Sequence, residues 1–416
     1  MITIRFFILV IITLVGLSAC TAEQKSIERL DHGLTETDID FLHLFSISQL
    51  PALPDAPGNR YADSLAAAEL GQKIFFDQRF SSNGAVSCAS CHQPELYFSD
   101  GRLRGQGLGQ TERNTPSLLG AAYGPWKYWD GRKDSLWAQA LEPLEQHNEH
   151  NITRQQLADL VRELYWAEYS AIFIGQSSNA SAVPSNPEAD RAAEQSTAVF
   201  VNVGKALMAY QRRLTMQPAK FDRFIDALAE GVEPPVEALL NASELAGLRL
   251  FMGRASCASC HNGLLFTNFE VHNSGAPEAD TSKVDLGRYG AIEQLRNDEF
   301  NCLSRWSDAS DVQCEEMRYL KTQGPELVGA FKTPSLRNVA ATAPYMQAGQ
   351  MATLADVVEH YSAPKPPFYD RQQHPSRPHF DVLPLGLSDE EKQQLQSFLG
   401  TLTSPLDQTD RWWQVP

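Results

Sequence analysis

Two copies of one short motif constrain this 416-residue chain more than any other feature: Cys88-Ala89-Ser90-Cys91-His92 and Cys257-Ala258-Ser259-Cys260-His261. In a Cys-x-x-Cys-His run the two thiols are spaced to add to the vinyl groups of a haem, and the adjacent imidazole is placed to bind the iron from one side. A lone Cys-x-x-Cys is also compatible with a zinc or thiol-redox site. Two copies, each followed by His and both in a chain with an export signal, point to two covalently bound c-type haems. His92 and His261 are then the proximal iron ligands.

The export signal is read at the N-terminus. One positive charge, Arg5, precedes an apolar run from Phe6 to Gly16 and then Leu17-Ser18-Ala19-Cys20. This resembles a lipoprotein signal, with residues 1–19 removed and lipid placed on Cys20. An uncleaved membrane anchor is the alternative, and either way the remainder lies outside the cytoplasm. The expected location is the periplasm, with the lipid in a membrane, the outer one by preference. No later stretch is apolar enough to span a bilayer.

Of seven cysteines, Cys302 and Cys314 remain after the lipid site and the two motifs. A disulfide between them fits an oxidising compartment. Two free thiols are the alternative, because spacing alone does not bring side chains together. The formal charge of −16 and the lack of Lys/Arg clusters exclude nucleic acid as a partner and suit the steering of a basic protein.

Helical signals dominate and strand alternation is scarce. Ser64 to Phe76 reads as an amphipathic helix, while Thr153 with Gln156 and Ser388 with Glu391 read as capping boxes opening two more. The Ser/Ala/Asn/Pro-rich stretch from Gly175 to Ser196 reads as a surface loop. The paired prolines within Glu230 to Leu240 read as a domain boundary.

An internal repeat organises the rest. Helical phrases ending in apolar residues, Ala67 to Phe76 and Ala242 to Phe251, precede the motifs. The 30 residues from Asn114 lie without gaps on those from Lys332, so that Thr115-Pro116-Ser117-Leu118 falls on Thr333-Pro334-Ser335-Leu336 and Gly131 on Gly349. The predicted fold is mainly α, with two cytochrome c-like domains related by internal duplication, each holding one haem. Residues 20–60 form a tether, 61–235 the first domain and 236–416 the second.

The sixth iron position separates electron transfer from peroxide chemistry, and the repeat compares its occupants directly. Tyr361 in the second copy falls on Pro143 in the first. A phenolate binds iron and a proline side chain does not, so the second haem is expected closed and the first open. Taken alone, Tyr361 reads more readily as a core aromatic, and the repeat reverses that preference.

These residues resemble the bacterial di-haem cytochrome c peroxidase and MauG family over nearly the whole mature chain, from about Ala62 to Leu402. The resemblance rests on both CxxCH motifs, on Tyr128-Trp129-Asp130-Gly131-Arg132 and on Thr333 to Tyr345, in the family's order and spacing. It implies a peroxidatic N-terminal haem, a C-terminal haem that relays electrons, and Trp129 mediating between them. It also implies a calcium ion held by the Asn114 side chain and the carbonyls of Thr342 and Pro344, which are the oxygen ligands calcium prefers.

Two departures from the ordinary peroxidases match the MauG-like or MbnH-like branch. Gln106 stands where a capping His is usual, and Tyr361 stands where Met is. That branch withdraws electrons from residues of a partner protein. MauG carries a tryptophan just ahead of its second motif, whereas Gly253-Arg254-Ala255-Ser256 has none. The family glutamate that moves the peroxide proton falls on Glu149, with Glu145, His147 and His150 as rivals for the role. Gln139 matches a distal-pocket glutamine, and Arg132 is expected to pair with a haem propionate or Asp130.

The resulting expectation is an enzyme that uses hydrogen peroxide to oxidise Trp or Tyr side chains of a secreted partner. The rivals are a peroxidase fed by a small cytochrome and a non-enzymatic electron carrier.

Overall fold

The computed structural model describes residues 32–174, 188–280, 282, 284–364, 382–407 and 409–416. The signal segment and Cys20 lie outside the described residues. Helices are α1 (Glu36–His43), α2 (Leu65–Phe76), α3 (Cys88–Cys91), α4 (Leu136–Glu145), α5 (Arg154–Leu164), α6 (Trp166–Phe173), α7 (Glu188–Gln211), α8 (Lys220–Ala229), α9 (Ala242–Met252), α10 (Arg288–Asn297), α11 (Glu315–Arg318), α12 (Leu354–Ser362) and α13 (Asp389–Gly400). One antiparallel pair joins β1 (Val271–His272) to β2 (Phe331–Lys332), with Val271 opposite Lys332. The protein is mainly α, as expected.

The caps read from sequence are present. Ser64 accepts from the Ala67 amide, and Thr153–Gln156 and Ser388–Glu391 form reciprocal capping boxes. Each satisfies amides that the first helical turn leaves without partners.

Two large hydrophobic cores form among the described residues, with a small third cluster at Leu295, Cys314 and Met317. In the first, α2, α4 and α5 pack on α7 and bury Phe75, Phe98, Trp137, Leu141, Phe200 and Tyr210. In the second, α9 packs on α13 around Phe221, Phe224, Phe251, Phe266 and Phe398. Each fully buried Phe contributes roughly 1.5–3 kcal/mol of transfer free energy.

Glycine sets the closest helix contact in each core. A Cβ on Gly71 would lie 2.0 Å from the Ala206 carbonyl, and one on Gly247 would lie 1.9 Å from that of Gln394. In both helices the glycine stands one turn before a phenylalanine, Phe75 or Phe251, that is 1% exposed.

The repeat reappears residue by residue in the backbone. Bridges Lys127–Lys133 and Tyr345–Met351 occupy matched positions. So do the helix caps Ser135 and Thr353. Left-handed backbone recurs at Tyr128 and Met346 (φ 68° and 70°) and at Gly131 and Gly349 (φ 73° and 70°). At the last pair glycine carries the conformation without steric cost.

The two copies also exchange reciprocal hydrogen bonds. The Asn114 amide donates to the Gln347 carbonyl at 3.0 Å, and the Lys332 amide donates to the Trp129 carbonyl at 2.7 Å. Asn114 matches Lys332 and Trp129 matches Gln347, so residue i meets j′ while i′ meets j. That reciprocity is the signature of a two-fold relation.

Three expectations need correction. The stretch read as a loop to Ser196 is helical from Glu188 onward; its Ala/Ser-rich composition hid the start of a helix whose packed face lies further on, at Val199, Phe200, Val203 and Leu207. The segment read as a tether contains α1, whose Ile39 and Leu42, with the following Phe45, enter the second core. Helix α8, placed by sequence in the first domain, packs its Phe221, Phe224 and Ile225 in the second core, so the cores do not divide at residue 235. Cys302 and Cys314 are joined in a disulfide.

Candidate active site

Both CxxCH motifs sit in short helical turns, α3 for the first and a 3-10 turn at Cys257–Ser259 for the second. The His92 Nδ1 donates to the Phe98 carbonyl at 2.9 Å, and the His261 Nδ1 donates to the Phe266 carbonyl at 3.1 Å. Fixing Nδ1 in this way orients each ring and leaves Nε2 as the ligating nitrogen. Burial lowers the pKa of both imidazoles, that of His261 to about 4. Each therefore stays neutral, the form in which imidazole binds a metal. Phe98 and Phe266 are fully buried, and both lie at left-handed φ, 58° and 51°. Two half-buried thiols, an oriented neutral imidazole and an apolar wall fit a covalently bound haem at each motif.

Around the first motif the structure brings together several of the expected residues. The Gln106 carbonyl lies 3.5 Å from the Cys91 sulfur. The Gln106 side chain is exposed and turns onto the Gly107 carbonyl. The loop carrying it is stitched to the 148–149 turn by Leu108 N–H to the Glu149 carbonyl (3.1 Å) and Gly109 N–H to the Asn148 carbonyl (2.8 Å). Glu149 is therefore a neighbour of the motif, and its charge is felt at both Cys88 and Cys91.

Burial, reinforced by Glu142 and opposed by Arg132, pushes the Glu149 carboxyl up to about 7. The three rivals read from sequence are differently placed. Glu145 is engaged with Arg154 at 2.8 Å. His150 is buried and hydrogen-bonded to the Phe80 carbonyl at 2.8 Å, and His147 is exposed.

Helix α4 carries Gln139 and, one turn later, Pro143 inside the helix. The Gln139 carbonyl accepts from the Tyr128 hydroxyl at 3.3 Å. Arg132 lies over the Tyr128 ring, 3.4 Å from its centroid. It pairs with both Asp130 and Glu142 at 3.1 Å, so the expected Asp130 contact is present and a second carboxylate shares the guanidinium.

At the second motif, α12 presents Tyr361. Burial first, and then the neighbouring Cys257 and Cys260 sulfurs, push its phenol up to about 12, with a hydrogen bond to Ser274 opposing. Tyr361 is therefore within electrostatic reach of the second thiol pair. A buried phenol ionises there only with a cation against its oxygen.

Between the motifs, the Trp129 indole N–H donates to the Asn114 carbonyl at 2.9 Å. Buried Asn114 is also bonded to Gln347, just beyond Pro344. Of the expected calcium ligands, Asn114 thus stands at a contact between the repeats, where its side-chain amide donates to the Arg102 carbonyl at 2.9 Å. Among the described residues no group of three His, Cys, Asp or Glu side chains could hold a metal ion, and the expected ligands are an amide and two carbonyls instead.

Sequence reasoning missed the C-terminal tail. Trp413 is buried in the first core, T-shaped against Phe98 at 5.1 Å. Trp412 packs on Tyr210 at 6.2 Å. The available signal was the Trp412-Trp413 pair itself, two large apolar rings in a short segment that has to bury them somewhere.

Comparison with known proteins matches residues 65–230 to the family model for di-haem cytochrome c peroxidase. The chain is 32% identical over 335 residues to the methylamine utilization protein MauG of Methylorubrum extorquens, covering 80% of this chain and 77% of that one. It is 30% identical to the cytochrome-c peroxidase IdrP1 of Denitromonas iodatirespirans, covering 90% of each. In fold it is similar to a crystal structure of a MauG-like protein associated with microbial copper homeostasis, with TM-score 0.63, 24% identity, and 88% of this chain and 98% of that one covered. The chain belongs to the bacterial di-haem cytochrome c peroxidase and MauG family, and it is a peroxidase that carries two c-type haems.

Proposed function

We propose that this peroxidase is of MauG type: hydrogen peroxide is consumed at the first motif, oxidising equivalents are shared with the second, and Trp or Tyr side chains of a secreted partner supply the electrons. One observation carries the reading. At matched backbone positions the first pocket has Pro143 and the second has Tyr361, a buried phenol within electrostatic reach of the Cys257–Cys260 pair.

When bound, the haems supply peroxide activation and electron relay. The chain's own groups divide the remaining work. Pro143 offers no donor atom and the Gln106 amide is turned onto Gly107, so neither closes the first pocket to peroxide. Glu149 takes the proton from the inner peroxide oxygen and returns it to the outer one. A carboxyl held near 7 is suited to both transfers at neutral pH. Gln139, on the same helix as Pro143, holds the bound peroxide by hydrogen bonding. Trp129, fixed at Asn114 and Lys332 on the seam of the two repeats, couples the pockets. Tyr361 holds the second pocket closed and, as a phenolate, favours the oxidised state of what it binds.

The duplication into two cytochrome c-like domains, the calcium ion at Asn114, Thr342 and Pro344, the lipid on Cys20 and the periplasmic location belong to the same reading. Among the described residues no helix is long and apolar enough to cross a membrane.

The ordinary-peroxidase alternative draws on the 30% identity to a cytochrome-c peroxidase over most of the chain. The two readings part on the resting protein. Stoichiometric peroxide added to the fully oxidised holoprotein without reductant should bleach the Soret band. A response that requires prior one-electron reduction, with steady turnover on a reduced small cytochrome, would establish the alternative.

A further inference from the structure

Residues 253–256 ahead of the second motif contain no aromatic side chain, yet a partner that cannot enter a buried pocket must exchange electrons through the protein surface. We propose that Trp412 is the surface terminus of an electron path to the first motif, running through Tyr210 and Phe75. The inference rests on peroxide being consumed at that motif.

Electron tunnelling through protein falls steeply with distance, so a run of rings in contact is the favoured route, and indoles and phenols are the most readily oxidised rings. Such a run is present. The Phe75 ring lies 6.5 Å from that of His92 and 5.0 Å from Tyr210, and Tyr210 lies 6.2 Å from Trp412. A second contact joins Trp413 to Phe98, whose carbonyl holds His92.

The tail is fastened for this placement. Gln72 donates to the carbonyls of Arg411 (2.7 Å) and Gln414 (2.9 Å), and the Tyr210 hydroxyl donates to the Trp412 carbonyl at 2.8 Å. Trp413 is buried, while Trp412 packs partly buried at the edge of the first core with part of its surface exposed.

Charge and proton chemistry favour Trp412 as the end station over Tyr210. The Tyr210 hydroxyl is bonded to a carbonyl that does not take up a proton, so loss of an electron there is not relieved by proton transfer. An indole can carry the positive charge itself. Arg411 stacks over Trp412 at 4.3 Å but is paired with Glu69 at 2.8 Å. Asp410 accepts from the Trp412 amide at 2.9 Å, leaving one net negative charge beside the ring.

Without a partner, Trp412 should itself be consumed. One ring C–H bond is replaced by C–OH with oxygen from water. The two electrons and two protons released convert one hydrogen peroxide to two waters, so the sum is tryptophan plus peroxide giving hydroxytryptophan plus water.

The test uses the haem-loaded full-length protein, stoichiometric peroxide, no reductant, and peptide mass spectrometry. Trp166 is the internal control: it is 43% exposed, and its ring contacts run to Tyr169 and Phe173. The expected result is an added oxygen on Trp412 in clear excess over Trp166, lost in Tyr210→Leu. If that variant loads no haem, the comparison within the wild-type protein decides. Soret bleaching with Trp166 modified as much as Trp412 would overturn the path while leaving the peroxide reading intact. No Soret response at all would overturn both.

Discussion

The two haem pockets of this protein are built on one backbone plan and differ in what that plan presents. Helix α4 ends with the Pro143 and Leu144 carbonyls accepting from the His150 and Ile152 amides. Helix α12 ends with the Tyr361 and Ser362 carbonyls accepting from those of Leu385 and Gly386. The same two positions of the repeat are clasped in the same manner, and one carries a ring that cannot ligate while the other carries a phenol. The first pocket adds an ionisable carboxyl, Glu149, pinned to the loop that lies against Cys91. On the proposed reading, a duplicated scaffold divides two tasks by changing side chains at fixed backbone positions.

The comparison is broken most severely by removing one attachment site. Cys257→Ala together with Cys260→Ala should lower covalent haem from two to one per chain after acid-acetone extraction. The remaining haem should keep an open position toward peroxide. Retention of two covalent haems would mean that the second motif is no attachment site.

A smaller effect separates the pockets chemically. Glu149→Gln removes a proton shuttle and no ligand, so haem content should hold while the rate of Soret bleaching falls about 100-fold. The sign of the pH dependence follows from the carboxyl held near 7: the ionised form accepts the peroxide proton, so the wild-type rate should climb as pH rises through about 7 and then level. In the Gln variant that titration should be absent. An unchanged rate would transfer the role to another group.

The sequence made much of this plan legible because its determinants are local or repeated. The motifs, the Ser64, Thr153 and Ser388 caps and the match of Pro143 to Tyr361 depend on residues close in the chain or on self-comparison. What stayed hidden depends on distant partners. Helix α1 and α8 join the second core through contacts with chain far downstream. The tail's Trp412 and Trp413 find Tyr210 and Phe98, both far upstream in the chain. The rivalry among Glu145, Glu149 and His150 was likewise undecidable from spacing, since Arg154 and the Phe80 carbonyl are what engage two of them.

The central claim, an open first pocket and a tyrosine-closed second one, is tested most directly by electron paramagnetic resonance of the resting ferric protein, alone and as Tyr361→Phe. The account predicts one high-spin and one low-spin ferric signal in the wild type, with the low-spin signal lost or altered in the variant and the high-spin signal kept. Two low-spin signals at rest, or a low-spin signal indifferent to Tyr361→Phe, would contradict it.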